Sequence, residues 1–516
     1  MSLTVAQTTA LNKLKNINEY TATTWNGDLA HSSSGDPRLD LFFKGFVRGC
    51  DEENLNNMLT VSWCKYPEDT VKLIIHSRDC RGGKGEKKVS YQGMLWLRKY
   101  KPLTYIMNLA KFLEYGYFKD LLQLAGMAED FNLNPLGVTE NYIELEILAE
   151  YLKDDIEKVK EDARISLAAK WAPSEGKHFD IKYGFAEDIA KLIFPNVINY
   201  KKEYRMLLSK LRKHLNIVEI LTTDNRWEEI EYSKVPSKAH RLLRKAFLKH
   251  APEHYNEYLF GLKLGTEKIN FKGTHPHELV STYIGGYNNL DETIEGQWRA
   301  LVNDVREKGS LENTIAVSDV SGSMMNPNGL PMSVSIALGI LIAQCCEGIF
   351  HNKLISFSES PKVHELKGET LKDMVDFTKN MDWGMNTNID KVFQLLLNTA
   401  KLTSSKDMVK NIIIISDMQF DQAIINTKLS AFDRNRKMFE DSGYSLPKIV
   451  FWNVNGSINS VPIRAHESGA FLVSGFSAEL LKDLVDNGFN TDPIGFLMSV
   501  INKYEVHIDE NEKKYI

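Results

Sequence analysis

Cysteine is scarce: five in 516 residues, at Cys50, Cys64, Cys80, Cys345 and Cys346. None are spaced Cys-x-x-Cys and the count is odd. That excludes a disulfide framework or a zinc ribbon and suits reduced thiols in an intracellular, cytoplasmic setting. Met-Ser-Leu-Thr-Val-Ala-Gln-Thr-Thr, the first nine residues, lack a basic start and an apolar core, so no signal peptide is expected. No apolar run has bilayer length. The longest, 334–346, is interrupted by Ser335 and Gln344 and reads as a buried helix, so no membrane partner is expected. Neither sign of charge is in excess: 63 Lys+Arg stand against 68 Asp+Glu, a net charge of −5, which gives no global case for nucleic acid. No strict repeat period is present, and no Gly-x-x-x-x-Gly-Lys-Ser/Thr phosphate loop.

What is present begins at 313–317, a short β-branched apolar run that reads as a buried strand. It leads into Asp319-Val320-Ser321-Gly322-Ser323, which places a carboxylate and two hydroxyls at alternate positions of one loop. A helix is expected over 333–346. Strand, oxygen-rich loop and helix form the crevice that open α/β sheets use for ligands. Hard oxygen donors suit a small hard cation, Mg²⁺, with Mn²⁺ as the alternative ion. Further on, Thr387 precedes a helix expected over 391–400, and the apolar strand 411–416 ends in Asp417. Alternation of strands (353–358, 362–366, 411–416, 448–454, 470–473) with helices (370–380, 432–441, 478–487) predicts a mainly parallel, doubly wound, Rossmann-like sheet.

Asp-x-Ser-x-Ser, a downstream Thr and a strand-terminal Asp resemble the metal-ion-dependent adhesion site of von Willebrand factor A domains. That resemblance implies Asp319, Ser321, Ser323, Thr387 and Asp417 as the metal ligands, Asp417 through water.

Helical periodicity dominates the chain before this domain. Segments 55–64, 67–77, 87–99, 102–114, 118–127 and 140–159 have helical length, with Pro67 and Pro102 where a first turn accepts proline. Short paired helices suggest a HEAT-like α-solenoid. The domain reading is an extended polar arm over 1–38, helices over 39–305, the A-type domain over 306–490, and a C-terminal helix and charged, frayed tail over 491–516.

Two basic stretches stand out. Arg78, Arg81, Lys84, Lys87 and Lys88 surround the glycines of 82–85, either as a phosphate-holding loop or as a solvated interhelical turn. Residues 201–250 carry 13 Lys+Arg against 6 Asp+Glu. Lys201, Lys202, Arg205, Arg212, Lys213, Lys238, Arg241, Arg244 and Lys245 are interleaved there with Tyr200, Tyr204, Trp227 and Tyr232, a pattern that suits phosphate contacts and base stacking. The alternative is a pair of amphipathic helices, 203–215 and 238–249, with solvated faces. His275 and His277 have no partner at metal-ligand spacing and read as a proline turn.

Trp25-Asn26-Gly27-Asp28, the run from Ser34 to Phe43, Arg78-Asp79 with Gly82-Gly83-Lys84-Gly85-Glu86, Tyr115-Gly116-Tyr117-Phe118-Lys119-Asp120-Leu121 and Ala169-Lys170-Trp171-Ala172-Pro173-Ser174 together resemble a eukaryotic and viral branch related to the TROVE–von Willebrand A family, typified by the Ro autoantigen. The resemblance covers nearly the whole chain. It implies a ring of helical repeats closed by the A domain, and a non-catalytic RNA-binding scaffold taking single-stranded RNA ends or small structured RNA. No small-molecule substrate is expected. A protein-adhesion module, with a partner's acidic residue completing the metal shell, is the alternative. A Mg²⁺-dependent phosphohydrolase is the remote one, because that chemistry uses Asp-x-Asp and Ser321 stands at the second position.

Overall fold

Local start signals account for most of the helices between residues 52 and 306. In the computed structural model, which describes residues 21–24, 26–133, 142–286, 289–309, 311–325, 328–357, 360–381, 388–402, 408–420 and 430–513, the first long helix is Glu52–Lys65. Asp51 caps it by accepting from the Asn54 N–H at 2.9 Å, and Glu52 and Glu53 complement its positive end. Pro67–Arg78, Lys88–Tyr100, Pro102–Tyr115, Phe118–Asp130 and Ile143–Lys160 follow, stacked on near neighbours. Both prolines stand at a first helical position. The series continues through Phe185–Ile193, Tyr200–Leu215, Ser237–His250, Pro252–Leu264, Pro276–Ile284 and Glu292–Arg306.

Buried ion pairs fix how the first helices stack. Arg78 Nε donates to Asp120 at 2.7 Å and the Tyr91 hydroxyl to the same carboxylate at 2.6 Å. Arg98 and Tyr105 share Glu144 in the same way. The later part of the chain returns to the first helices. A Cβ on Gly85 would meet His275 Cε1 at 3.1 Å, and one on Gly273 would meet the Tyr117 hydroxyl at 3.3 Å.

Ten strands are present among the described residues. β1 (Thr21–Thr23) and β2 (Leu29–His31) form an antiparallel pair, and β3 (Leu311–Glu312) and β5 (Cys346–Glu347) a short parallel one. The main sheet contains β4 (Thr314–Asp319), β6 (Lys353–Phe357), β7 (Val363–Glu365), β8 (Asn411–Ser416), β9 (Lys448–Asn453) and β10 (Ala470–Ser474) in the order β10-β9-β8-β4-β6-β7. Only the edge strand β7 runs antiparallel. All six residues of β4 are buried, as are five of the six of β8, which is why both read as continuous apolar runs. From β4 the chain moves to β6 on one side and later to β8 on the other. The crevice between the ends of β4 and β8 is therefore the switch point of the sheet.

One apolar core runs from Leu39 through both parts to Tyr504. A smaller cluster gathers around Tyr232, Phe247, Tyr255 and Tyr258.

Two expectations change at the ends of the chain. The arm is not merely extended. β2 bridges to Val461, the Thr24 hydroxyl donates to Phe420 O at 2.7 Å, and Asn26 Nδ2 donates to Gln419 O at 2.8 Å. The tail is not frayed over 509–513. Its Glu512 carboxylate accepts from the Leu103 and Thr104 N–H groups, both at 2.9 Å, and so caps Pro102–Tyr115 from far along the chain. In both segments some of the polar residues serve partners distant in sequence. Among the described residues no helix is long and apolar enough to cross a membrane.

Candidate metal centre and basic surfaces

β4 delivers Asp319 to the crevice fully buried, and β8 delivers Asp417 beside it at 2% exposure. Asp319 Oδ1 accepts from the Ser321 N–H at 2.9 Å, which folds the loop back on its own carboxylate. Residues Gly322–Met325 continue as a single 3₁₀ turn and set the Ser323 hydroxyl 3.1 Å from that of Ser321. Ser323 is also near enough to Asp417 to favour its carboxylate against the effect of burial. Four of the five expected ligands thus converge. Thr387 lies outside the described residues.

Sequence reasoning missed Ser416, whose hydroxyl donates to Asp319 Oδ2 at 2.6 Å. No local signal offered it: adjacent side chains of a strand face opposite ways, so a ligand at Asp417 argued against Ser416, and only the turn at the strand end brings both to the crevice.

Burial pushes the Asp319 carboxyl up to about 7, with the neighbouring Asp417 charge adding to the effect. Burial raises Asp417 as well. Two buried carboxylates with two hydroxyls between them form an oxygen-only donor set that favours a hard dication, because positive charge would relieve the cost of ionising both. Among the described residues, no three His, Cys, Asp or Glu side chains gather as a separate metal cluster. His275 and His277 stack on each other with ring centroids 5.5 Å apart, and His277 packs edge-on to Phe476.

The basic residues divide sharply. Arg78 and Lys84 are fully buried, which removes both from the expected phosphate-binding set. Arg78 is spent on Asp120. Lys84 Nζ donates to Phe42 O, to Phe46 O at 3.1 Å and to Ser474 Oγ at 2.7 Å, joining the helical part to the end of β10. Burial drives its ammonium well below the usual lysine range. Arg212 is likewise structural, donating to Ala169 O and Ala172 O at 2.8 Å and Ser174 Oγ at 2.9 Å.

Lys201 pairs with Glu187 at 2.7 Å and Arg205 with Glu175. Arg241 pairs with Glu278 and Arg244 with Asp291, both at 2.6 Å. Tyr204 and Tyr232 are buried, so they are core residues rather than stacking platforms, and Trp227 stacks on His250 at 4.3 Å. The amphipathic-helix alternative describes this segment better than the interleaved basic surface does. Arg81, Lys87, Lys88, Lys202, Lys213, Lys238 and Lys245 remain exposed.

Sequence comparison places the chain. A family model for a domain of unknown function, DUF2828, matches residues 24–139 and 145–311. The chain belongs to the DUF2828 family. A second domain of unknown function, DUF7788, matches residues 313–515, the part that carries the sheet. An uncharacterised protein of Acanthamoeba polyphaga mimivirus is 34% identical to this DUF2828 protein over 513 residues, spanning 93% of this chain and 87% of its own. The crystal structure of the Deinococcus radiodurans Ro (RSR) protein aligns over 92% of this chain and 100% of that one, at 11% identity and a TM-score of 0.31. That likeness is too slight to establish a shared architecture.

Proposed function

We propose that this DUF2828 protein is a non-catalytic binding scaffold. In this reading the α/β part holds Mg²⁺, with Mn²⁺ as the alternative ion, and the helical part binds RNA. The observation that carries the metal reading is the convergence of Asp319, Ser321, Ser323 and Asp417 at the switch point of the sheet, with two carboxylates buried side by side. Asp319 and the two serines would hold the ion directly, Asp417 through water, and Thr387 would complete the set. The bound dication would supply one open position for an acidic side chain of a protein partner. Ser416 would orient Asp319, and the Ser321 N–H would keep the loop closed. Ser321 stands where the Asp-x-Asp phosphohydrolase pattern has its general acid and cannot take that role, which supports the non-catalytic reading.

RNA binding is supported by the resemblance to TROVE–von Willebrand A proteins and by exposed lysines at helix starts, Lys87, Lys238 and Lys88 among them. A purely protein-binding adhesion module is the second reading. It is favoured by the pairing of Lys201, Arg205, Arg241 and Arg244 with carboxylates. Sequencing of nucleic acid that co-purifies under mild salt tests the RNA reading. Recovery of none, together with no affinity for RNA at low salt, leaves the adhesion module.

A further inference from the structure

Three stretches far apart in the sequence meet at one cleft. Arg81 comes from the glycine-rich loop, Tyr117 and Phe118 from the joint before Phe118–Asp130, and Trp171 from the short helix Ala168–Trp171. With Tyr151 and Leu167 they line a volume of about 570 Å³. The Tyr117 and Trp171 rings lie 6.4 Å apart, and Phe118 meets Tyr151 edge-on at 5.0 Å. Tyr151 is 37% exposed and Leu167 46%. This is aromatic and apolar surface left facing water inside a concavity.

Cations border it. Lys119 Nζ stands 6.0 Å from the Trp171 ring centroid. Lys119 is within electrostatic reach of Lys87, which in turn feels Lys238. None of these three lysines has a carboxylate within ion-pair distance among the described residues. Each sits at the start of a helix: Lys87 at the cap of Lys88–Tyr100, Lys119 in the first turn of Phe118–Asp130, and Lys238 in the first turn of Ser237–His250. Cations are disfavoured there, because the helix dipole is already positive at that end. Arg78, buried behind Tyr117 with its guanidinium 5.2 Å from that ring, keeps Nη1 without an acceptor. Asp120 and Glu278 offset part of this charge, but Arg78 and Arg241 already hold them, so the lysines at three helix starts still suit an anion and the open aromatic walls a flat apolar occupant. A nucleotide unit has both.

We propose that the Arg81–Tyr117–Trp171 cleft seats a base of single-stranded RNA, and that Lys119, Lys87 and Lys238 form a track for its flanking phosphates. The assignment rests on the RNA-binding reading and gives it a location. Every base has a flat face, so stacking here would be tolerant of sequence, and the lysines would position the backbone rather than read it.

The test is fluorescence anisotropy of a labelled twelve-residue oligouridylate on the full chain at low salt. Trp171→Ala should weaken binding about ten-fold, while Trp171→Phe, which keeps a stacking face, should bind within about two-fold of the parent. Lys87→Gln with Lys119→Gln should weaken binding and flatten its dependence on salt, since fewer counterions are released. Lys202→Gln with Lys213→Gln, on the helix that packs behind Ala168–Trp171 but outside the lining of the cleft, should change little. If the parent binds RNA but Trp171→Ala and the Lys87/Lys119 pair bind as well as the parent, this site is wrong and the RNA reading stands. If the parent binds no RNA, both fail. If uridine monophosphate competes as strongly as the oligonucleotide, the occupant is a free nucleotide and the RNA assignment is overturned. Should Trp171→Ala fail to fold, Trp171→Phe and the lysine pair decide alone.

Discussion

Arg434 closes on the carboxylate of Asp28, 406 residues earlier in the chain, with Nη1–Oδ1 at 2.8 Å and Nη2–Oδ2 at 3.2 Å. The same guanidinium holds Asp390 at 3.0 Å, in the first turn of Ile389–Ala400. One buried arginine therefore ties the N-terminal arm to the helix Ile389–Ala400. Burial outweighs the arginine's pull on Asp28 and raises its carboxyl, whereas Arg434, facing two carboxylates, is held charged.

Asp28→Ala leaves Arg434 with half its compensation in a buried setting. Breaking such a pair costs about 3 kcal/mol, and urea denaturation of the full chain should show a loss of that order. Asp28→Asn with Arg434→Met should be milder than Asp28→Ala alone, because the one charge it leaves, Asp390, is part exposed and keeps Asn435 as a donor at 2.6 Å.

Asp319→Ala should abolish Mg²⁺ and Mn²⁺ binding, read by titration calorimetry. Undiminished affinity in that variant would refute the ligand set. Chelation of the parent should leave a cooperative melting transition, because β4 and β8 are buried apolar strands that need no ion to pair. A transition that vanishes in chelator alone would contradict this.

Arg241, Arg244 and Lys245 are the obvious cations to neutralise in a test of RNA binding, and the structure changes what that test reads. Arg244 braces Asp291, which caps Glu292–Arg306 through the Thr293 and Ile294 N–H groups at 3.1 and 3.4 Å. Arg244→Ala should cost about 1 kcal/mol of stability in thermal melts through the weakened cap. The triple variant should lower the melting temperature more clearly than it lowers RNA affinity.

Acid should destabilise the helical part through its buried histidines. His240 donates to or accepts from the Tyr255 hydroxyl at 3.1 Å, and burial pulls its imidazole down to about 4. His76 and His277 are lowered well below their usual value for the same reason. A group lowered on folding adds stability above its unfolded value near 6.5 and loses it as the pH falls toward its folded value. Melting temperature should therefore drop between about pH 6.5 and about pH 4. His240→Gln should make that drop shallower; an unchanged slope would remove His240 as a contributor.

Lys84→Met keeps the stem against Phe42 but withdraws the ammonium from Phe42 O, Phe46 O and Ser474 Oγ. Phe42 O retains Ser474 as a donor at 2.7 Å, so Phe46 O is the group left wanting. A loss of about 1–3 kcal/mol is expected in urea denaturation.

Where the residues declared themselves locally, sequence and structure agree. The apolar strands 411–416 and 448–453, the prolines opening helices at Pro67 and Pro102, and the Asp319 to Ser323 loop needed no tertiary information to be seen. What sequence could not supply was the destination of charge. Arg78 and Lys84 look like solvated loop cations because their acceptors, Asp120 and Ser474, lie 42 and 390 residues away. Tyr204 reads as a stacking residue until its hydroxyl is found on Pro173 O at 2.9 Å. The arm and the tail misled for the same reason: short polar segments carry no periodicity, and their order comes from whatever they dock against.

Glu512 carries this dependence into synthesis. The helix Pro102–Tyr115 has no side-chain cap of its own at Lys101, and the carboxylate that fills that role is translated some four hundred residues later. Tyr504, which donates to Asp79 at 2.9 Å, arrives equally late. A ribosome making this chain therefore delivers the helical part unfinished, to be completed only after Tyr504 and Glu512 have left the exit tunnel. Loss of residues 504–512 should be felt first among the helices made early, at Pro67–Arg78 and Pro102–Tyr115.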